Sequence, residues 1–310
     1  MAALMSKDYL KAHIRTKAHE LGFDDVGFAK AEQLTEEIKN YKTWLDNNYN
    51  AEMQWMARNI EKRENVLNIL PEAKSVIVFA HSYFTGISHK EDNNKISRYA
   101  WGDDYHDIIL KKLEIIEEFL KELSPAIKTK SYTDTGPILE KQWAVKSGIG
   151  WQGKNSLILN RNLGSYFFIG IIITSIEFDS DKTVKDYCSS CSKCIDACPT
   201  GAIIQDKVVD SNKCISYWTI EAKPNREIPQ NIKENINGWA FGCDICQEVC
   251  PWNKHKPKIT SETGFQPRHN ETNFVPEEVF NMTEEEFRVR FAKSPIKRTK
   301  LNGIKRNLSI

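Results

Sequence analysis

The sequence predicts an α+β protein: a layered N-terminal domain followed by a small ferredoxin-like module. Two observations carry that prediction. Helical periodicities and short apolar, β-rich runs mix through the first 180 residues without a regular βαβ repeat. All eight cysteines then fall between Cys188 and Cys250, with none before. The boundaries that follow are 1–180 for the layered domain, 181–255 for the cysteine module and 256–310 for a C-terminal basic tail.

The elements follow in order. Lys7 to Leu21 places Leu10, Ile14, Ala18 and Leu21 on one helical face, and Gly22 suits the C-cap. Glu32 to Asn48 reads as a second helix. Ser75 to Ala80 is a short apolar run that reads as a buried strand. Tyr105 to Leu123 is an amphipathic helix, and Pro137 to Ser147 another, closed by Gly148-Ile-Gly150. Ser156 to Leu159 and Ser165 to Thr174 read as strands, the second fully buried. Beyond the cysteines, one helix is expected from Thr283 to Phe291.

The cysteine spacing is the sharpest signal. Cys188-x2-Cys191-x2-Cys194-x3-Cys198-Pro199 has the bacterial ferredoxin spacing, in which the fourth cysteine ligates the other cluster. Cys243-x2-Cys246-x3-Cys250-Pro251 repeats it without the leading cysteine, which Cys214 can supply. Crossing over then gives one cluster to Cys188, Cys191, Cys194 and Cys250, and a second to Cys198, Cys214, Cys243 and Cys246. Every thiol is used once and both [4Fe–4S] cubes are complete. The competing reading is a pair of zinc knuckles, which favour two CxxC pairs per metal, often with His. Two adjacent clusters imply electron transfer.

Bulk properties narrow the remainder. Among 310 residues, 40% are hydrophobic and 27% charged, the balance of a folded soluble chain. The N-terminus lacks a signal-peptide apolar block, and the longest apolar stretch, Tyr166 to Thr174, is too short to span a bilayer. A cytoplasmic protein without a membrane partner is expected. Formal net charge is +1, yet Arg288 to Ile310 holds eight Lys or Arg and no acid. Such asymmetry suits a polyanion partner or, equally, a solvated basic face on a terminal helix. No GxGxxG follows a strand and no Walker A sequence occurs, so a nicotinamide bound in a Rossmann fold is not expected.

Several segments together resemble one family: Ile96-Ser-Arg-Tyr-Ala100, Asp104-Tyr-His106, Thr133-Asp-Thr-Gly-Pro-Ile-Leu-Glu-Lys141, Gly148-Ile-Gly-Trp-Gln-Gly-Lys-Asn155 and Asn162-Leu-Gly-Ser-Tyr-Phe-Phe168. The cysteine module adds Cys194-Ile-Asp-Ala-Cys-Pro-Thr-Gly-Ala202, Cys214-Ile-Ser-Tyr-Trp218 and Gly242-Cys-Asp-Ile-Cys-Gln-Glu-Val-Cys-Pro-Trp-Asn253. The combination is similar to epoxyqueuosine reductases, from about Leu4 to the C-terminus.

The resemblance implies reduction of epoxyqueuosine to queuosine at the wobble position of tRNAs for Asp, Asn, His and Tyr. It implies two [4Fe–4S] clusters and a cobalamin bound by an N-terminal domain of the nitroreductase-like or reductive-dehalogenase-like kind. It makes Asp134 the catalytic acid, which would need a raised pKa to donate a proton near neutrality. A lone Asp before a helix is otherwise an N-cap. Arg98, Tyr99, Tyr105 and His106 are candidate contacts to the corrinoid or substrate, each equally an ordinary helix or surface residue. Lys154, Asn155 and Ser156 follow a Gly-rich turn suited to a cobalamin tail. Cys243 and Asp244 are expected where the second cluster meets the corrin.

Asp104-Tyr105-His106 begins like an axial-histidine motif but lacks its glycine, so a base-off cobalamin is expected. Tyr217, Trp218 and Trp252 are either base-stacking platforms or core aromatics. The basic tail fits a tRNA anticodon arm. A monomer served by an unidentified low-potential electron donor completes the reading. Its alternatives are a corrinoid iron–sulfur reductase of a small molecule and a plain dicluster electron carrier.

Overall fold

The computed structural model describes residues 6–89, 94–255, 257–270 and 272–310. The start of the resemblance at Leu4 and the first residue of the expected tail, Lys256, lie outside these ranges.

Four strands form the central sheet: β1 (Asp25–Lys30), β2 (Ser75–Ser82), β3 (Thr129–Tyr132) and β4 (Phe167–Thr174). Their order is β1-β2-β4-β3, and each neighbouring pair is antiparallel. All eight residues of β2 are buried, because both faces of the sheet are covered. Helix α1 (Lys7–Glu20) and helix α3 (Tyr105–Leu123) pack on one face, where Ile14, Phe28, Phe79, Ile109, Leu113 and Ile116 join one core. Helix α4 (Glu140–Lys146) covers the other with Trp143 and Ala144 against Val76, Val78 and Ile171. Helix α2 (Thr35–Asp46) flanks that second face through Ile38.

The expected elements are present, with shifted ends that have local causes. Helix α3 matches its expected span. Gly22 takes a positive φ of 91° after α1, as a C-terminal glycine should. Helix α2 starts at Thr35 rather than Glu32. Gln33 bridges Asn65, and the Leu34 N–H donates to the Glu64 carbonyl at 2.8 Å. Helix α4 starts at Glu140 rather than Pro137, and its N-cap, Leu139, makes no side-chain hydrogen bond. The strand expected from Ser156 is only Ile158–Leu159, paired with Trp151–Gln152. Ser156, at φ 65°, lies in the turn between them. Strand β4 starts at Phe167 rather than Ser165, because the Ser165 N–H is drawn to Asn253 Oδ1 at 2.7 Å.

The cysteine module holds two short helices, Lys193–Asp196 and Ile245–Glu248, each followed by a Cys-Pro, and the second sits against this domain. Gln247 Nε2 donates to Ser165 Oγ at 3.0 Å and to the Tyr83 hydroxyl at 3.2 Å. Asn253 Nδ2 donates to the same Ser165 Oγ at 2.9 Å. Trp239–Phe241 runs parallel to Lys95–Ile96, so a strand of the first domain is shared with the module.

Residues 257–310 do not form a free basic arm. Helices Pro276–Asn281, Glu284–Arg290 and Lys300–Leu308 close a core with Ile96, Trp101 and Phe241. Thr283 and Glu286 form the capping box that starts the second of these. Arg306 donates to the carbonyls of Trp218 at 2.6 Å and Lys223 at 2.7 Å. Arg288 pairs with Glu285, Arg290 with Glu278, Lys297 with Asp104, and Arg298 with Glu221. Half of the tail cations thus have acidic partners within the chain. No described helix is long and apolar enough to cross a membrane.

The join between β1 and α4 is tight at Gly27. A Cβ there would lie 2.2 Å from the Ser147 carbonyl oxygen, a backbone atom that cannot move aside alone. Gly27→Ala should cost about 1–3 kcal/mol, seen as a lower Tm in thermal unfolding.

Candidate active site and cluster module

The site begins at the N-terminus of α3. Asp104 caps the helix: its Oδ1 accepts the His106 backbone N–H at 3.2 Å and the His106 Nδ1–H at 2.7 Å. Its Oδ2 receives Lys297 Nζ at 2.8 Å. The other ring nitrogen, His106 Nε2, faces Asp134 Oδ2 at 3.3 Å. Tyr105 stacks on both His106 and Phe168, which fixes the ring plane.

Asp134 lies on the loop from β3 to α4. Thr133 anchors that loop by donating Oγ1–H to the Ile169 carbonyl at 2.8 Å. Asp134 adopts φ 58°, a left-handed conformation that a non-glycine residue seldom holds without a role. Its backbone N–H donates to Glu140 Oε1 at 2.6 Å. Asp134 is therefore not the N-cap of α4; the first residue of that helix reaches back to hold it.

The charges differ from expectation. Burial would raise the Asp134 carboxyl, but the hydrogen bond and charge of His106, with help from the Tyr105 hydroxyl, hold it below the usual carboxylate range. The raised group is Glu140, pushed up to about 8 by burial and by the Asp134 charge. Burial would lower His106, yet Asp104 and Asp134 together lift it to about 9. At neutral pH the pair is a carboxylate beside an imidazolium, with both ring nitrogens donating.

Asp134 keeps 63% of its side chain open to solvent, and Lys141 is exposed, although protein surrounds both on most sides. Together they mark an open, solvent-facing site. Tyr99 and Tyr105 line it from α3 and the turn before it, and both hydroxyls are raised by burial and by the Asp134 charge. Lys141 also feels the cysteine side, through the Cys246 thiol. Arg298, from the C-terminal segment, lies within electrostatic reach of Asp134 and Tyr99.

Other expected contacts are placed elsewhere. Arg98 is committed internally: it donates to the Ile87 carbonyl at 2.7 Å and to Glu248 Oε1 at 3.1 Å, and lies over the Trp101 ring. Asp244 is 1% exposed; it accepts the Ser97 hydroxyl and, at 2.8 Å, the Arg98 backbone N–H. Together they tie the Cys243–Cys246 loop to the segment before α3. Lys154 pairs with Asp206 at 3.2 Å. Asn155 is buried and donates to the Cys246 carbonyl at 3.4 Å, and Ser156 Oγ accepts from Gln152 Nε2 at 3.2 Å. Tyr217 and Trp218 are core residues, 4% and 2% exposed, and Trp252 packs edge-on against Trp151. None of the three is an open stacking platform.

The electrostatic neighbours of the cysteine thiols include other cysteines of the module. After burial, the thiols acting on Cys194 are Cys250, Cys188 and Cys191, each raising it. Likewise Cys198 acts on Cys214, and Cys214 and Cys246 act on Cys243. Cys194 also acts on Cys246, so the two sets adjoin. Four-thiol sets of this kind suit iron–sulfur cubes. The Ala202 N–H donates to Cys198 Sγ at 3.2 Å, the type of hydrogen bond that tunes a cluster.

Glu140, Lys141, Asp104 and Lys297 were not singled out from the sequence. The first two lie inside the Thr133–Lys141 segment and Asp104 opens the Asp104–His106 segment, so motif membership was the available signal. Nothing local marked Lys297.

Known proteins match this arrangement. Residues 187–253 match the model of a 4Fe-4S double cluster binding domain, and residues 63–135 that of epoxyqueuosine reductase QueG, DUF1730. The epoxyqueuosine reductase of Cellulophaga algicola is 42% identical over 295 residues, 95% of each chain. That of Pseudomonas aeruginosa is 36% identical, covering 97% of this chain and 84% of its own. A crystal structure of an epoxyqueuosine reductase with an epoxyqueuosine-modified tRNA-Tyr stem loop superposes with a TM-score of 0.88 at 30% identity, covering 98% of this chain and 80% of the other. A reductive dehalogenase, NpRdhA, shares the fold at TM-score 0.53 and 16% identity, over 98% of this chain and 39% of its own.

Fold and site together define an iron–sulfur oxidoreductase with a double-cluster module, and the zinc-knuckle reading is set aside. Within that class, the chain belongs to the epoxyqueuosine reductase family.

Asp244→Ala would leave the buried Ser97 hydroxyl and Arg98 N–H without their acceptor. It should cost on the order of 2–4 kcal/mol, read as a lower midpoint in anaerobic denaturant unfolding.

Proposed function

We propose that this protein reduces epoxyqueuosine to queuosine at the wobble position of tRNA for Asp, Asn, His and Tyr, in the cytoplasm, with two [4Fe–4S] clusters and a cobalamin. The observation that carries the reading is the Asp134–His106 pair on a solvent-open face, beside Lys141, which lies within electrostatic reach of Cys246. Family relatives named for this activity, and one solved with its modified stem loop, support it.

Cys188, Cys191, Cys194 and Cys250 would hold one cluster, and Cys198, Cys214, Cys243 and Cys246 the other. The donor set fits: eight free thiols lie in the module and act electrostatically on one another. Exposed Asp134 and Lys141, with Tyr99 and Tyr105 beside them, leave an open face on which a large ligand could lie. Tyr99, Tyr105 and Lys141 would border the corrinoid, with Asn155 joining its floor to the Cys246 loop. When bound, clusters and corrinoid supply low-potential electrons for carbon–oxygen cleavage.

The chain's own residues handle binding and protons. Asp134 is placed to pass a proton from Oδ to the epoxide oxygen. Thr133 and Glu140 hold its loop in register, although a Bacillus subtilis relative has been solved with its catalytic aspartate loop swung out of the active site. The cobalamin would be bound base-off, and His106, as an imidazolium, would have no lone pair with which to replace the lost base. A Co(II) EPR spectrum of the loaded protein should lack nitrogen hyperfine structure from an axial base.

Docking of the anticodon arm would use Lys293, Lys297, Arg298 and Lys300, all exposed, with Arg298 close to the cleft. Neutralising them should weaken stem-loop binding and flatten its salt dependence by up to one unit of slope per lost phosphate contact. The protein acts as a monomer served by a separate low-potential electron donor.

Nucleoside mass spectrometry of tRNA from a deletion strain tests the function. Epoxyqueuosine should accumulate, and queuosine should return on expression of this chain but fall roughly a hundredfold or more with Asp134→Asn. Normal queuosine in the deletion strain would defeat the reading.

A further inference from the structure

Removing an epoxide oxygen consumes two protons, and the cleft shows one carboxylate positioned to deliver them. Two electrons enter, both C–O bonds break, a C=C bond forms, and the oxygen leaves as water carrying both protons. The electrons come from the low-potential donor through the iron–sulfur module. Asp134 must therefore be loaded twice per turnover.

We propose that His106 is the proton reservoir that loads Asp134, and that Asp104, itself anchored by Lys297, is the positioning residue that keeps the reservoir charged and aimed. This inference rests on the function proposed above and extends it to the source of the protons.

The geometry is a single line of contacts. Lys297 Nζ meets Asp104 Oδ2 at 2.8 Å, Asp104 Oδ1 meets His106 Nδ1 at 2.7 Å, and His106 Nε2 meets Asp134 Oδ2 at 3.3 Å. Each partner has one open task left. Asp104 is buried, with 6% of its side chain exposed, so its charge is spent on His106 and Lys297 rather than on water. His106 is 26% exposed and can be recharged from solvent between transfers. Asp134 is 63% exposed and faces the cleft.

The helix cap makes the aim rigid. Asp104 also accepts the His106 backbone N–H, so the carboxylate and the imidazole it orients share one turn. The Tyr105 ring stacked on His106 removes the remaining ring rotation. The charged and titratable groups facing His106 are Asp104 before the helix, Tyr105 on it, Asp134 on the loop, Glu140 on α4, and Lys297 behind Asp104. The two ionised carboxylates that contact the ring, Asp104 and Asp134, favour the imidazolium. The proton then moves from Nε2–H to Oδ2, and from the carboxyl to the departing oxygen, leaving a neutral imidazole that water reprotonates before the second transfer.

The sign of two substitutions separates this relay from a merely structural role. Asp104→Asn keeps an N-capping side chain but removes the charge that favours His106⁺. Lys297→Met removes the cation that competes for Asp104.

The first readout is ¹⁵N-histidine NMR of cluster-loaded, oxidised, corrinoid-free protein, which follows the His106 titration directly. The second is single-turnover reduction of an epoxyqueuosine-bearing stem loop by the holoenzyme across pH. Asp104→Asn should lower the His106 titration by about one pH unit or more, and its rate loss should be roughly tenfold greater near about pH 8.5 than near about pH 6. Lys297→Met should leave the titration at or above its wild-type position.

An unmoved titration in Asp104→Asn, equal rate losses at both pH values, or the same downward shift in both variants would overturn the relay. The NMR arm reads the imidazole without turnover. A wild-type holoenzyme that cannot convert the stem loop would defeat the functional reading instead.

Discussion

The buried carboxylate of Asp244 is the joint on which the site depends. It lies between Cys243 and Cys246, and it accepts hydrogen bonds from Ser97 and the Arg98 backbone in the segment leading to α3. One carboxylate therefore fixes the loop that holds the second thiol set to the segment that positions Tyr99, Tyr105 and His106. A buried charge persists only when its hydrogen-bonding capacity is met, and here the donors come from the other part of the chain. Arg98, His89 and Glu248 add a surrounding charge network. The cleft and the cluster module are in this sense one construction, with Ser165, Gln247 and Asn253 forming its second seam.

On that frame the cleft carries an unusual charge order. The exposed aspartate is the ionised group, and the protonated ones are His106 and the neighbouring Glu140, at about 9 and about 8. Pairs of groups whose surroundings push their proton affinities apart are how one site manages acid and base roles near neutrality. The arrangement also explains the left-handed backbone at Asp134. Glu140 and Thr133 hold the loop from both ends, so the strain serves to present one carboxylate to the cleft.

Much of this was legible in the sequence because it is local or combinatorial. Helix α3 reads directly from Ile109, Leu113, Ile116 and Leu120, and β2 from its apolar run. The proposed thiol sets follow from Cys-x2-Cys spacing and the ferredoxin pattern in which the fourth cysteine serves the other cluster. What escaped was long-range. Arg98 and Asp244 look like surface or cofactor contacts until the fold brings them together across 146 residues. Lys297 looks like tail charge until it meets Asp104. The basic end reads as a charged tail because charge is visible in sequence, whereas the burial of Phe287, Ile296, Leu301 and Ile304 beneath it depends on a partner surface. The sign of the Asp134 shift was missed for the same reason: burial alone predicts a rise, and only the His106 contact reverses it.

The central claim is that one chain joins two iron–sulfur cubes to a corrinoid cleft. Metal and cofactor analysis of the protein, purified under argon and loaded with cobalamin, tests it most directly. The account predicts about eight irons and about one corrinoid per chain. Zinc in the cysteine sites, or a protein that retains iron but takes up no corrinoid, would contradict it.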